Sequence, residues 1–114
     1  MKLHINTVED TEGLIFKKKI WRMDAQLELS EEEAKALKAH PEVGKITIGR
    51  GIVGTGMEMD ISVEHLINGI KGWRFSTVAN QTDFEQSIRE GCADLKEHLA
   101  RLGQMTSGPK TVEF

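Results

Sequence analysis

Asp83-Phe84-Glu85-Gln86-Ser87-Ile88-Arg89-Glu90-Gly91-Cys92-Ala93-Asp94-Leu95-Lys96-Glu97-His98-Leu99-Ala100-Arg101-Leu102 decides the fold. Phe84, Ile88, Cys92, Leu95, Leu99 and Leu102 recur at steps of three and four. At 100° per residue they fall within about 80° of arc, one apolar stripe on a helix about 30 Å long. Burying such a stripe is worth up to ~10 kcal/mol gross, at ~1.5–3 kcal/mol per large side chain. A small domain has a net stability of only ~5–15 kcal/mol, so this helix must lie against a sheet or another helix. Thr82 and Glu85 form a capping box at its start, and Gly103 is placed to end it. Glu85–Arg89 and Glu97–Arg101 are i,i+4 pairs on its wet side.

Gly91 sits inside that stripe, between Ile88 and Leu95. A glycine within a helix costs ~1 kcal/mol relative to alanine, so its placement predicts a close backbone approach. Two sources are open: a strand or tryptophan of the same chain, or the same helix in a second copy across a dimer axis. In the second case Ile88, Gly91 and Leu95 are interface residues, and Met57 and Met59 add adaptable apolar contacts.

Upstream, Lys2–Val8 reads as a strand, and Glu9–Gly13 as a polar turn closing a hairpin. The second strand spans 14–29. From Trp21 it alternates cleanly: Met23, Ala25, Leu27 and Leu29 on one face, Arg22, Asp24, Gln26 and Glu28 on the other. Leu14, Phe16 and Ile20 have the opposite phase, which predicts a bulge or a change of buried face near Lys17-Lys18-Lys19. Ser30 with Glu33 makes a capping box for a helix over 31–39, and His40-Pro41 ends it. Lys45–Ile48 is a short strand, and a further extended run carries Met57, Met59 and Ile61. Val63, Leu66, Ile67 and Ile70 have helical spacing, with Ser62 or Asp60 as cap and Gly69 and Gly72 as stops. Trp73–Val78 is the last strand. The order β-β-α-β-β-(α)-β-α is that of an α+β domain over 1–103: a mostly antiparallel sheet of four to five strands with the long helix on one face. Residues 104–114 read as a mobile tail or, at Thr111–Phe114, a short added strand.

The 114 residues suffice for one modest core, with 39% hydrophobic and 29% charged side chains. A net charge of −3 weighs against nucleic acid as the main partner. A lone cysteine rules out an internal disulfide and fits a reducing, cytoplasmic setting. No signal-peptide pattern or membrane-spanning run is present in the sequence.

The sharpest local motif is Gly49-Arg50-Gly51-Ile52-Val53-Gly54-Thr55-Gly56. Its Gly-x-Gly-x-x-Gly spacing matches a dinucleotide fingerprint after a strand, but extended residues follow where a helix N-terminus must hold the phosphates. A strand on both sides resembles the phosphate flap of a protein kinase, yet the rest of a kinase does not fit in this chain. Two readings remain: a connecting loop whose glycines permit positive φ, or an anion site using Arg50 with Trp73 or Arg74 nearby. Asp60, Glu64 and His65 offer acid–base groups without diagnostic geometry. Cys92 and His98 lie about 120° apart on the helix, and the four histidines lack zinc-like spacing, so no metal or cofactor is expected. The lysine run beside Trp21 suits either a single-strand patch or a solvated strand edge. The balance of signals favours a non-catalytic, self-associating or partner-binding module, with a small-ligand or anion-binding protein as the alternative and a small enzyme behind both.

Overall fold

The computed structural model describes the backbone of residues 1–106 and the side chains of residues 1–104. The predicted tail from residue 107 onward lies outside the described residues. Nine elements follow in order: β1 (Lys2–Glu12), β2 (Lys18–Glu28), α1 (Glu31–Ala39), a 3₁₀ turn (Pro41–Lys45), β3 (Thr47–Val53), β4 (Met57–Ser62), α2 (Val63–Asn68), β5 (Ile70–Phe75) and α3 (Val78–Thr106). The fold is α+β. All strand pairs are antiparallel, but they make two sheets, β1-β2-β5 and β3-β4.

The apolar stripe of α3 is the floor of the core. Phe84, Ile88, Cys92, Leu95 and Leu99 are buried with Met23, Ala25 and Leu27 of β2, Ile48 of β3 and Phe75 of β5. The helix begins earlier than its sequence predicts. The Thr77 hydroxyl, not that of Thr82, accepts from the Asn80 N–H, and the extra turn brings Gln81 into the core. There the Gln81 amide donates to the Thr7 hydroxyl (3.2 Å) and the Glu85 carboxylate (3.3 Å). At the other end Gly103 does not stop α3, which continues to Thr106.

α3 and β3 approach each other backbone to backbone. Helix and strand run antiparallel along each other. Gly51 lies under Phe84, Gly49 under Ile88, and Gly91 under the backbone of Ile48; a Cβ on any of the three would overlap those atoms. Two strand residues rise ~6.7 Å and four helix residues ~6 Å, so Gly49 and Gly51 keep step with Phe84 and Ile88. The Arg50 N–H donates to the Ser87 hydroxyl (2.8 Å). The helix thus covers an edge of β3 that would otherwise expose unpaired backbone groups. The approach foreseen at Gly91 is therefore met within the chain, and Ile88 and Leu95 are buried there rather than offered to a second helix.

At α1 both halves of the capping box form: Glu33 N–H to the Ser30 hydroxyl (3.2 Å) and Ser30 N–H to the Glu33 carboxylate (3.0 Å). The amino group of Met1 adds an ion pair to Glu33 at 2.8 Å. Burial disfavours the Glu33 carboxylate, but these partners outweigh it and hold its pKa below the usual glutamate range.

The first hairpin departs most from its sequence reading. β1 and β2 pair without interruption from Lys2–Glu28 to Glu12–Lys18, so no bulge lies near the lysines on that side; the other expectation, a change of buried face, is met by Ile20, fully buried on the face opposite Met23, Ala25 and Leu27. Leu14 and Phe16 belong to the connecting turn instead. The register shift falls on the β5 side, between Met23 and Ala25, next to Gly72 at φ +63°. Gly72 therefore serves the bulge, and Gly69 alone ends α2.

Gly91→Ala is expected to lower stability by about 2 kcal/mol, because overpacking against Ile48 exceeds the ~1 kcal/mol gained in helix propensity. Gly103→Ala, with open space at its Cβ, gains that propensity alone. Thermal melts of the two variants should move in opposite directions, down by roughly 5–10 °C for the first.

Candidate functional site

The glycine stretch is divided between a strand and a turn. Gly49 and Gly51 are strand residues pressed under α3, and only Gly54, Thr55 and Gly56 form the β3–β4 turn. The Arg50 guanidinium is held by Asp60 at 2.8 Å and Glu58 at 3.6 Å. Trp73 is half-buried and packs its ring on His65 (5.6 Å) and Phe84 (5.5 Å). Asp60 and His65 are thus engaged in structural contacts. Met57 is exposed at the start of β4, and Met59 is half-buried. Among the described residues no group of three or more His, Cys, Asp or Glu side chains could hold a metal ion. Burial raises the Cys92 thiol to about 11, so it stays protonated at neutral pH.

Arg74 is the exception in that region, because it joins three elements. Its guanidinium donates to both oxygens of Glu12 on β1 (2.8 and 2.9 Å), to the Gly54 carbonyl (2.6 Å) and to the Ser76 hydroxyl (2.9 Å). The Gly54 N–H returns a bond to the Arg74 carbonyl at 2.7 Å. The Glu12 carboxyl is held below its ordinary range by this bidentate arginine. Further back, the backbone N–H of Thr11 and the Arg22 guanidinium do the same for Asp10.

These bonds brace the root of an arm. β5 ends opposite Trp21, and beyond that level only β1 and β2 continue. At the arm's tip Gly13 adopts φ +112°, with the Phe16 carbonyl folded so close that a side chain on Gly13 would overlap it. Leu14, Ile15 and Phe16 are left standing in solvent, 100%, 85% and 89% exposed. Lys17, Lys18 and Lys19 follow, with Lys19 paired to Glu9 at 3.0 Å. Trp21 packs against the core, so its face is not free to stack a base. The outer edge of β1 has no strand beside it among the described residues.

Sequence reasoning missed this site by extending β2 back to Leu14. A signal was available: three consecutive large apolar residues between Gly13 and a lysine run cannot all face one side of a strand. Compared with protein-family models, curated proteins and solved structures, the chain matches none of them significantly. No helix among the described residues is long and apolar enough to cross a membrane.

Arg74→Met should free the arm root while leaving the core intact. The Glu12 pKa is depressed in the folded chain, so its tie is complete above the ordinary glutamate value and weakens as pH falls through the folded one. Carboxyl NMR titration should find the Glu12 midpoint higher in the variant, and trypsin should cut faster after Lys17–Lys19. An unchanged Glu12 titration would contradict the clamp.

Proposed function

We propose that this chain is a protein-binding module whose docking element is the β1–β2 arm. The observation that carries the reading is the exposed run Leu14-Ile15-Phe16 at the end of a braced projection. Three adjacent large apolar side chains in water are unfavourable unless a partner covers them. Each is worth ~1.5–3 kcal/mol when buried. A two-stranded hairpin is itself marginal in water, and the Arg74–Glu12 clamp holds the last residue of β1 but none of Leu14, Ile15 and Phe16. The free edge of β1 offers a second mode of contact, main-chain pairing with an added strand.

The anion-binding alternative has less support. Arg50 and Arg74 are each committed to carboxylates, and two of the glycines face the core. A protein partner asks of this chain only the shape and apolar tip that it presents.

The test is photo-crosslinking in cells that make the full chain. Benzoylphenylalanine placed at position 16 should yield an adduct with protein, whereas the same group at the exposed position 97, on α3, should not. Failure of position 16 to capture any polypeptide would defeat the proposal.

A further inference from the structure

We infer that the partner is a second copy of this chain, with the two β1 strands paired edge to edge and each arm tip seated in the α1–α3 groove of the other copy. This rests on the reading of the arm as a docking element and specifies what it docks to.

The first argument is charge along the bare edge. β1 begins with basic groups, Lys2 and His4, and ends with acidic ones, Asp10 and Glu12. Antiparallel pairing about a two-fold axis at Thr7 sets Lys2 opposite Glu12, which Arg74 also holds, His4 opposite Asp10, which Arg22 also holds, and Asn6 opposite Val8. No like charges meet, and the half-buried face matches Leu3 with Thr11 and Ile5 with Glu9. A slip of two residues toward the N-terminus leaves Glu12 without an opposite residue. A slip the other way leaves Lys2 facing the tip. The Thr7 register is the one that uses both charged ends, and cross-strand pairs of opposite charge are the favourable ones.

The second argument is where that register sends the tip. With Glu12 beside Lys2 of the other copy, the residues after Gly13 run past its Met1. Met1 lines a groove of about 920 Å³ between α1 and α3. Ala36, Ala39, Leu99 and Ala100 give that groove apolar walls, and its charged lining is mixed, Glu32 and Glu33 with Lys35 and Lys96. The tip brings Leu14, Ile15 and Phe16 for those walls and Lys17 and Lys18 for the acidic first turn of α1. The strand charges choose the register, and the groove lies at its end. A two-fold axis repeats every contact, so both tips and both grooves are filled and the assembly closes at two chains.

The experiment is sedimentation velocity of the full chain across the micromolar range, joined to the position-16 crosslink in a mixture of ¹⁴N- and ¹⁵N-labelled protein. A dimer is expected, with mixed-isotope adducts mapping to 31–39 or 96–104. The triple variant L14S/I15S/F16S should keep the parent's circular dichroism spectrum and associate roughly a hundredfold or more weaker. Ala100→Glu, on the exposed groove wall, should weaken association as well without touching the arm. A monomer at all concentrations would overturn the inference, as would a dimer that survives the tip variant or a species larger than two chains. So would a monomer that binds phosphatidylserine vesicles through the tip. If the pure chain is monomeric while position 16 captures a different protein in cells, this inference fails and the broader reading of the arm stands.

Discussion

The rest of the molecule depends on a strand laid directly on a helix. Gly49 and Gly51 remove side chains from one face of β3, and Gly91 removes one from α3, so the two backbones come together without a layer between them. Interiors are close-packed, and a contact of this kind has no slack. It also accomplishes two further things. The Ser87 hydroxyl and the Gly91 surface occupy the outer edge of β3, which protects it from stray pairing. And it sinks β3 deep enough for Phe84 to meet both Trp73 and Phe75, joining the β3–β4 sheet to the three-stranded one.

The contrast with the first hairpin is physical. Where β3 is short, glycine-rich and covered, β1 is eleven residues long and, among the described residues, bonded to a strand on one side only. Its inner half rests on the body through Leu3 and Ile5. Its outer half relies on Arg74, Arg22 and the ion pairs they make, since the sheet supplies no third strand there. Polar ties can hold a hairpin in place without burying much apolar surface. That is why Leu14, Ile15 and Phe16 remain exposed although the arm itself is ordered.

Much of this was legible in the residues. The Ser30–Glu33 box marks the start of α1, and the six-residue stripe of α3 names the core floor, because capping and amphipathic spacing are local. The Gly91 anomaly points correctly to a backbone neighbour. What could not be read is which backbone: Gly49 and Gly51 look like a phosphate loop because close packing and phosphate cradling both require a missing Cβ. Only the partners separate them, and Ile88 and Phe84 lie far along the chain. The Arg74 clamp was equally hidden, since Glu12 is 62 residues away. The helix start failed for a different reason. Thr77 and Thr82 are both adequate caps, and the choice was made by Gln81 finding Thr7 and Glu85 inside the core.

Charged residues on an exposed edge usually read as protection against aggregation, and a single-sign edge would serve that end against every copy of itself. The edge of β1 is not single-sign. Its bases lie at one end and its acids at the other, so a parallel encounter sets Lys2 on Lys2 and Glu12 on Glu12, while an antiparallel one sets unlike charges together. The same residues therefore reject one geometry and select the other, which is how specificity is built when attraction and repulsion are used at once. Protection alone has no need of that gradient, nor of an apolar tip lying just beyond its acidic end. The inferred self-pairing accounts for both features at once, the gradient through the register and the tip through its place beyond the acidic end.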